Sequence, residues 1–220
     1  LDLAHGALTY ISEAAAGTPV VLGVQRRDDM AYYNSAVLLG PDAEVVQTYD
    51  KHHLVPFGEY IPFGDLLGRI GLRGMAAQFG SGFSSGPGAA LMDLGPLGQA
   101  LPLICYEAVF ARDVNAAPAR PAFLMQLTND AWFGKGQGPL QHLAQARMRA
   151  IEQGLPMARV ANTGVSAMID PWGRITKSLA LNEAGFLDAP LPAPRPATPY
   201  SRWGEWPFLF ITLAGFALVI

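Results

Sequence analysis

A single cysteine, Cys105, closes the apolar run of Leu101-Pro-Leu-Ile-Cys-Tyr-Glu107, and a carboxylate follows it two residues later. A lone thiol at the end of an expected buried strand has the placement of a nucleophile. Position alone leaves a second reading open, because free cysteine is also a common small buried hydrophobe. The other candidate group is Lys51, at the head of Lys51-His-His-Leu-Val-Pro-Phe-Gly-Glu-Tyr-Ile-Pro62, which also carries Glu59. A nearby cation lowers a thiol's pKa and favours the reactive thiolate. The same ammonium, with a backbone N–H just after Cys105, can stabilise the oxyanion formed when a carbonyl carbon is attacked. Taken by itself, Lys51 reads first as an exposed lysine following a strand.

Several chemistries are excluded. One cysteine permits no internal disulfide and no CxxC metal site, so cysteine usage does not report the redox compartment. His5, His52, His53 and His142 show no ligand spacing, and adjacent His52 and His53 would point opposite ways on a strand. The net charge of −3 comes with no stripe of Lys and Arg, so nucleic acid is not an expected partner. At 220 residues, one folded domain plus an appendage is the simplest organisation.

Strands and helices alternate along the folded part, which predicts a layered α/β protein. A helical pattern over Leu1, Leu3, Ala4, Ala7, Leu8 and Ile11 stops near Gly17. Pro19–Val24 reads as a buried strand, and Tyr33–Leu39 and Glu44–Tyr49 flank Gly40-Pro-Asp42 as a hairpin. The stretch from Asp50 to Phe63 is too interrupted by Pro and Gly to be one regular element, and its polar and aromatic content suits a site wall. Gly64 to Gly98 is glycine-rich, with a short amphipathic stretch around Leu66–Met75, and suits a lid or binding loop. After the Cys105 strand come another at Ala122–Leu127, an amphipathic helix from Gly138 to Gly154, and two strand-like runs with a turn over Arg159–Gly173.

The ends carry their own expectations. The chain starts at Leu1 directly in a helical pattern, which reads as a fold entered part-way. The Pro-rich stretch of Ala189 to Pro199 should be an extended semi-rigid strap. Trp203 and Trp206 then lead into an uncharged run ending at Ile220, read as a transmembrane helix cut short. From Pro207 to Ile220 such a helix extends about 21 Å at ~1.5 Å per residue, against roughly 30 Å for a bilayer core. The expected domains are therefore residues 1–188 folded, 189–202 linker, and 203–220 the start of a membrane helix.

Asp50-Lys-His-His-Leu, Ile104-Cys-Tyr-Glu and Asn129-Asp-Ala-Trp-Phe-Gly together resemble the nitrilase, or carbon–nitrogen hydrolase, superfamily. The longer Lys51–Pro62 motif, Asn129 to Lys135, and Ala146-Arg-Met-Arg-Ala-Ile-Glu152 are similar to its apolipoprotein N-acyltransferase branch. The resemblance runs in order over essentially the whole chain. It implies an αββα sandwich, incomplete at its N-terminus, and a Glu–Lys–Cys triad in which Cys105 is the nucleophile and Lys51 the cation. It also implies a phospholipid acyl donor, the diacylglyceryl-modified cysteine of a lipoprotein as acceptor, and no metal or dissociable cofactor. The expected location is the bacterial inner membrane, with the folded domain facing the periplasm.

The same resemblance places Glu59 and Glu107 near the pocket, holding Lys51 or orienting a backbone donor. The alternative for each is an ion pair at a domain edge. Trp132 and Phe133 either wall an acyl-chain site or pack in the core. Arg147, Arg149 and Glu152 read as structural, with Arg149 and Glu152 forming an i, i+3 helix pair. The triad's general-base glutamate belongs on a strand preceding the first helix, and neither Glu13 nor Glu44 stands in that context. It is therefore expected upstream of Leu1, and the fragment alone is expected to be inactive or nearly so. Two rival readings are a soluble nitrilase-type amidase acting on small C–N substrates and a catalytically dead, membrane-anchored binding module.

Overall fold

A computed structural model of the protein describes residues 5–29, 31–62 and 82–219. The predicted amphipathic stretch around Leu66–Met75 lies outside them. Among the described residues, nine strands form two sheets, one of order β1-β2-β3 and one of order β4-β5-β6-β7-β8-β9. The first contains β1 (Val20–Asp28), β2 (Ala31–Leu39) and β3 (Val45–Asp50), all antiparallel. The second contains β4 (Met92–Asp93), β5 (Gln99–Ile104), β6 (Phe123–Asn129), β7 (Met157–Asn162), β8 (Ser166–Ile169) and β9 (Ile175–Leu179). Its centre, β5-β6-β7, is parallel, and the outer strands pair antiparallel.

Side-chain alternation explains the layering. Leu101 and Leu103 of β5 and Leu124 of β6 pack with Leu143, Ala146 and Ala150 of the helix Gly138–Gln153. Their neighbours Ala100, Phe123 and Met125 face the other way and pack with Ala36, Leu38 and Tyr49 of the first sheet. A strand buried on both faces loses the polar alternation of a surface strand and reads as a continuous apolar run. The Gly138–Gln153 helix begins with a proline in its first turn and ends at Gly154, whose φ of 63° supplies the left-handed C-cap. The first helix, His5–Ala14, is tied to the β2–β3 turn by the Ser12 hydroxyl, which donates to the Pro41 carbonyl at 2.6 Å.

The C-terminal segment differs in part from expectation. The Pro-rich stretch is fastened to the body: the Arg195 N–H donates to the Gly154 carbonyl at 2.9 Å and Arg120 donates to the Arg195 carbonyl at 2.8 Å. A short helix, Pro199–Trp203, ends at Gly204, where φ is 54°, and a second helix spans Trp206–Val219. The second helix begins within one residue of the expected Pro207 start, while Pro199–Trp203 adds a helical turn where an extended strap was expected. Among the described residues no helix is long and apolar enough to cross a membrane. The second helix nevertheless exposes Phe208, Phe210, Ile211 and Phe216.

Candidate functional site

Parallel strands that feed crossover segments gather their C-terminal ends at one edge, where loops build sites. Cys105 is the first residue after β5 and begins the 3₁₀ turn Cys105–Val109. Its φ of 50° is left-handed, a conformation that disfavours any side chain with a Cβ and persists only where surroundings enforce it. Asp130 opens a second 3₁₀ turn, Asp130–Phe133, immediately after β6. The two turns therefore sit side by side at the same sheet edge.

Glu107 is fully buried and stitches this edge to the Lys51 segment. One carboxylate oxygen accepts the Ile104 N–H at 2.7 Å. The other accepts the His52 N–H at 2.8 Å, the His53 N–H at 3.3 Å and the Tyr49 hydroxyl at 3.0 Å. The His52 ring also lies 2.8 Å from that oxygen, and this hydrogen bond holds the imidazole above its usual pKa despite partial burial. Glu107 thus fastens the residues following Lys51 to the strand end preceding Cys105.

Lys51 is 1% exposed and donates from Nζ to Glu59 Oε2 at 2.7 Å. Glu59 is fixed in turn: Oε2 accepts the Val55 N–H at 2.7 Å and Oε1 accepts the Asn34 amide at 2.5 Å. The Lys51 main chain is held by the Asn34 carbonyl and by the Gly86 N–H. Burial pushes the Cys105 thiol above its ordinary pKa, while the Lys51 charge and a hydrogen bond with Thr128 pull it back only in part. Lys51 thus acts on the thiol through its charge, and burial outweighs that effect.

Trp132 and Phe133 do not enter the core; they are exposed on the turn after β6, with the Phe133 ring 5.1 Å from that of His142. Glu13 is exposed, and Glu44 accepts the Asp42 N–H within its own hairpin. Arg149 and Glu152 form the predicted pair at 2.7 Å, and Arg149 also donates to the Val109 carbonyl at the end of the Cys105 turn. Arg147 donates to the Gly173 carbonyl at 2.6 Å. A cavity of about 570 Å³ between Arg112, Tyr200, Trp203 and Trp206 is lined by neither Cys105 nor Lys51.

Sequence reasoning missed a buried polar group behind the site. Arg159 donates to Asp130 at 2.5 Å and to Gln126, and Asp130 lies 2.9 Å from His142 Nδ1. The signal was available: a glutamine inside Phe123–Leu127, and an arginine next to Met157 and Ala158, are polar residues in apolar strands and require buried partners. Asn34, the second anchor of Glu59, carried no such signal.

The model of the carbon-nitrogen hydrolase family matches residues 12–195. The chain belongs to that family. Among curated relatives of this chain, an apolipoprotein N-acyltransferase of Rhodopseudomonas palustris is 48% identical over 188 residues, covering 86% of this chain and 35% of the relative. One from Bradyrhizobium diazoefficiens is 46% identical, covering 87% and 37%. The chain thus spans little more than a third of the relatives it matches. Solved carbon–nitrogen hydrolase folds also superpose on it. An amidase from Nesterenkonia sp. AN1, bearing an acrylamide adduct at its active site cysteine, gives a TM-score of 0.58 at 20% identity, over 84% of this chain and 66% of its own. A carbon-nitrogen hydrolase from Helicobacter pylori G27 gives 0.59 at 16%, over 83% and 65%. These establish the nitrilase-like α/β fold.

Proposed function

We propose that this chain is the nucleophile-bearing part of a bacterial N-acyltransferase that moves a fatty acyl chain from a phospholipid to the α-amino group of a lipoprotein's diacylglyceryl cysteine. The observation that carries the reading is the Glu107 carboxylate, which joins the Lys51 segment to the Cys105 turn. The names of relatives at 46–48% identity support acyl transfer. Amide hydrolysis is less supported, because amidases match at about 20%.

The reaction is ping-pong. Cys105 Sγ bonds to the ester carbonyl carbon, the tetrahedral oxyanion faces Lys51 and the N–H after Cys105, and the ester C–O bond breaks to release the lysophospholipid alkoxide, which takes up a proton. The acceptor amine then attacks the thioester, loses a proton as the amide forms, and expels the Cys105 thiolate. Glu59 holds Lys51, and Glu107 holds the two backbone segments in register. Because Glu59 already serves Lys51, Asn34 and Val55, the first proton is assigned to a further glutamate of the whole protein. Exposed Trp132 and Phe133 supply apolar surface for the acyl chain.

Residues 1–188 are assigned to the hydrolase-like domain, 189–202 to the linker, and 203–220 to a segment whose Trp206–Val219 helix enters the inner membrane from the periplasmic side. The uncharged Trp206–Val219 helix, with its exposed aromatic residues, supports that placement. The test is full-length protein incubated with phospholipid and analysed by mass spectrometry of the Cys105 peptide. Wild type should carry an acyl thioester there, and acyl-enzyme persisting in Cys105→Ala would refute the assignment.

A further inference from the structure

Behind the nucleophile turn, four buried side chains from four separate elements meet and take no part in the chemistry above. Gln126 lies in β6, Asp130 in the turn after it, His142 in the Gly138–Gln153 helix and Arg159 in β7. None is more than 2% exposed. Arg159 binds Asp130, Gln126 and the Val165 carbonyl, and Asp130 also accepts the Thr128 hydroxyl at 3.0 Å. The Asp130 carboxylate fixes the His142 ring from Nδ1. Two of its side chains converge on the Cys105 carbonyl oxygen, which lies 3.1 Å from His142 Nε2 and 3.3 Å from Gln126 Nε2.

We propose that the Arg159–Asp130–His142–Gln126 network is the positioning device of the nucleophile, holding the Cys105 carbonyl inward so that the residue keeps its left-handed backbone. The physical case is one of competing costs. A left-handed cysteine is strained, and it relaxes unless its neighbours over-determine it. A buried carbonyl without donors is itself unfavourable, so the Gln126 amide and a protonated His142 Nε2, converging on one fixed point, oppose that relaxation. Filling space does not account for the arrangement, because apolar side chains pack a core without the desolvation of a buried ion pair. Thr128 extends the link, since its hydroxyl bonds Asp130 and its side chain also interacts with the Cys105 thiol.

The role of Cys105 here rests on the acyl-transfer reading, so the test uses one measurement that needs no lipid. In the full-length protein, His142→Ala and His142→Gln are compared with wild type by the native-state rate of iodoacetamide alkylation at the Cys105 peptide, and by kcat and KM for acyl transfer. His142→Ala should lower both the alkylation rate and kcat by about tenfold or more while leaving KM within about twofold, as expected for lost alignment rather than lost binding. His142→Gln, whose amide can reach the same carbonyl, should recover most of the loss. If His142→Ala does not fold, Gln126→Met, which removes the other donor, takes the same comparison. Wild-type alkylation and kcat in these variants overturn the proposal, as do equal losses in His142→Ala and His142→Gln, the result of a packing role alone. If wild type alkylates at Cys105 but transfers no acyl group, the acyl-transfer reading fails and the alkylation ratios still decide the positioning role.

Discussion

Lys51 donates to Glu59 across 2.7 Å with only 1% of the lysine side chain in contact with solvent. A cation so far removed from water is tolerated only with a fixed counter-charge. Glu59 meets that need because the Val55 N–H and the Asn34 amide prevent its carboxylate from turning away. The lysine is therefore aimed, and its direction depends on a residue eight positions later in an irregular segment.

Removing the counter-charge should destabilise the protein. Glu59→Ala is expected to cost about 2–4 kcal/mol, toward the lower end of values for broken buried pairs because Glu59 keeps some solvent contact. Glu59→Gln, which retains an acceptor oxygen, should cost less. Urea denaturation of both variants measures this, and equal stability of Glu59→Ala and wild type would show that Lys51 does not depend on the pair.

The thiol should titrate late. Burial raises the Cys105 pKa above its ordinary 9.0, against the opposing Lys51 charge. The alkylation rate of the 220-residue chain should therefore rise with pH through a midpoint above 9.0. Lys51→Met removes the larger of the two opposing effects and should move that midpoint higher still. The thiol's contribution to stability is complete below the unfolded value and declines as pH rises through the folded one. A midpoint below 9.0, or a downward shift in Lys51→Met, contradicts this account.

Asp130 should matter most above the acid range. Burial alone would raise its carboxyl pKa, but the His142 hydrogen bond, the Arg159 charge and the Thr128 hydroxyl together hold it below 3.8. Its contribution to stability is thus complete above the ordinary carboxylate value and is lost as pH falls through the lower folded value. Asp130→Asn leaves Arg159 buried without its counter-charge, at a cost of about 3–5 kcal/mol near neutral pH. Urea midpoints measured against pH should show a constant gap between variant and wild type that narrows only below about pH 3.8.

Gly86 is required by a close approach of two backbones. A Cβ there would sit 2.2 Å from the Asp50 carbonyl oxygen, and the Gly86 N–H donates to the Lys51 carbonyl at 2.9 Å. Backbone atoms cannot yield as the end of a flexible side chain can. Gly86→Ala should therefore cost about 1–3 kcal/mol, the usual range for overpacking. It should also displace Lys51, read as slower Cys105 alkylation at fixed pH. Unchanged stability and alkylation in this variant would mean that the two segments part without consequence.

The long periodic elements were legible in the sequence. The Gly138–Gln153 helix carries its own apolar stripe, its proline start and its glycine stop, and the β2–β3 hairpin is marked by Gly40-Pro-Asp42. Short elements were not: β9 is largely exposed, and the helices Ala111–Asn115 and Pro199–Trp203 have five residues each, too few for a period to emerge. The apolar run before Cys105 and the Lys51 motif also identified the candidate chemistry, because residue type and local context are properties of the chain.

Tertiary structure alone decided what holds that chemistry in place. Glu107 reaches back 55 positions to His52, and His142 reaches back 37 to Cys105. Such pairings depend on which strands lie parallel and which helix covers them, and no local period encodes that. The sequence named a thiol and a lysine; the packing of β5 beside β6 and of the Gly138–Gln153 helix over both determined that buried carboxylates and donors converge behind them. The physical reason is that polar groups excluded from water must find partners across the fold, and only the completed fold supplies them.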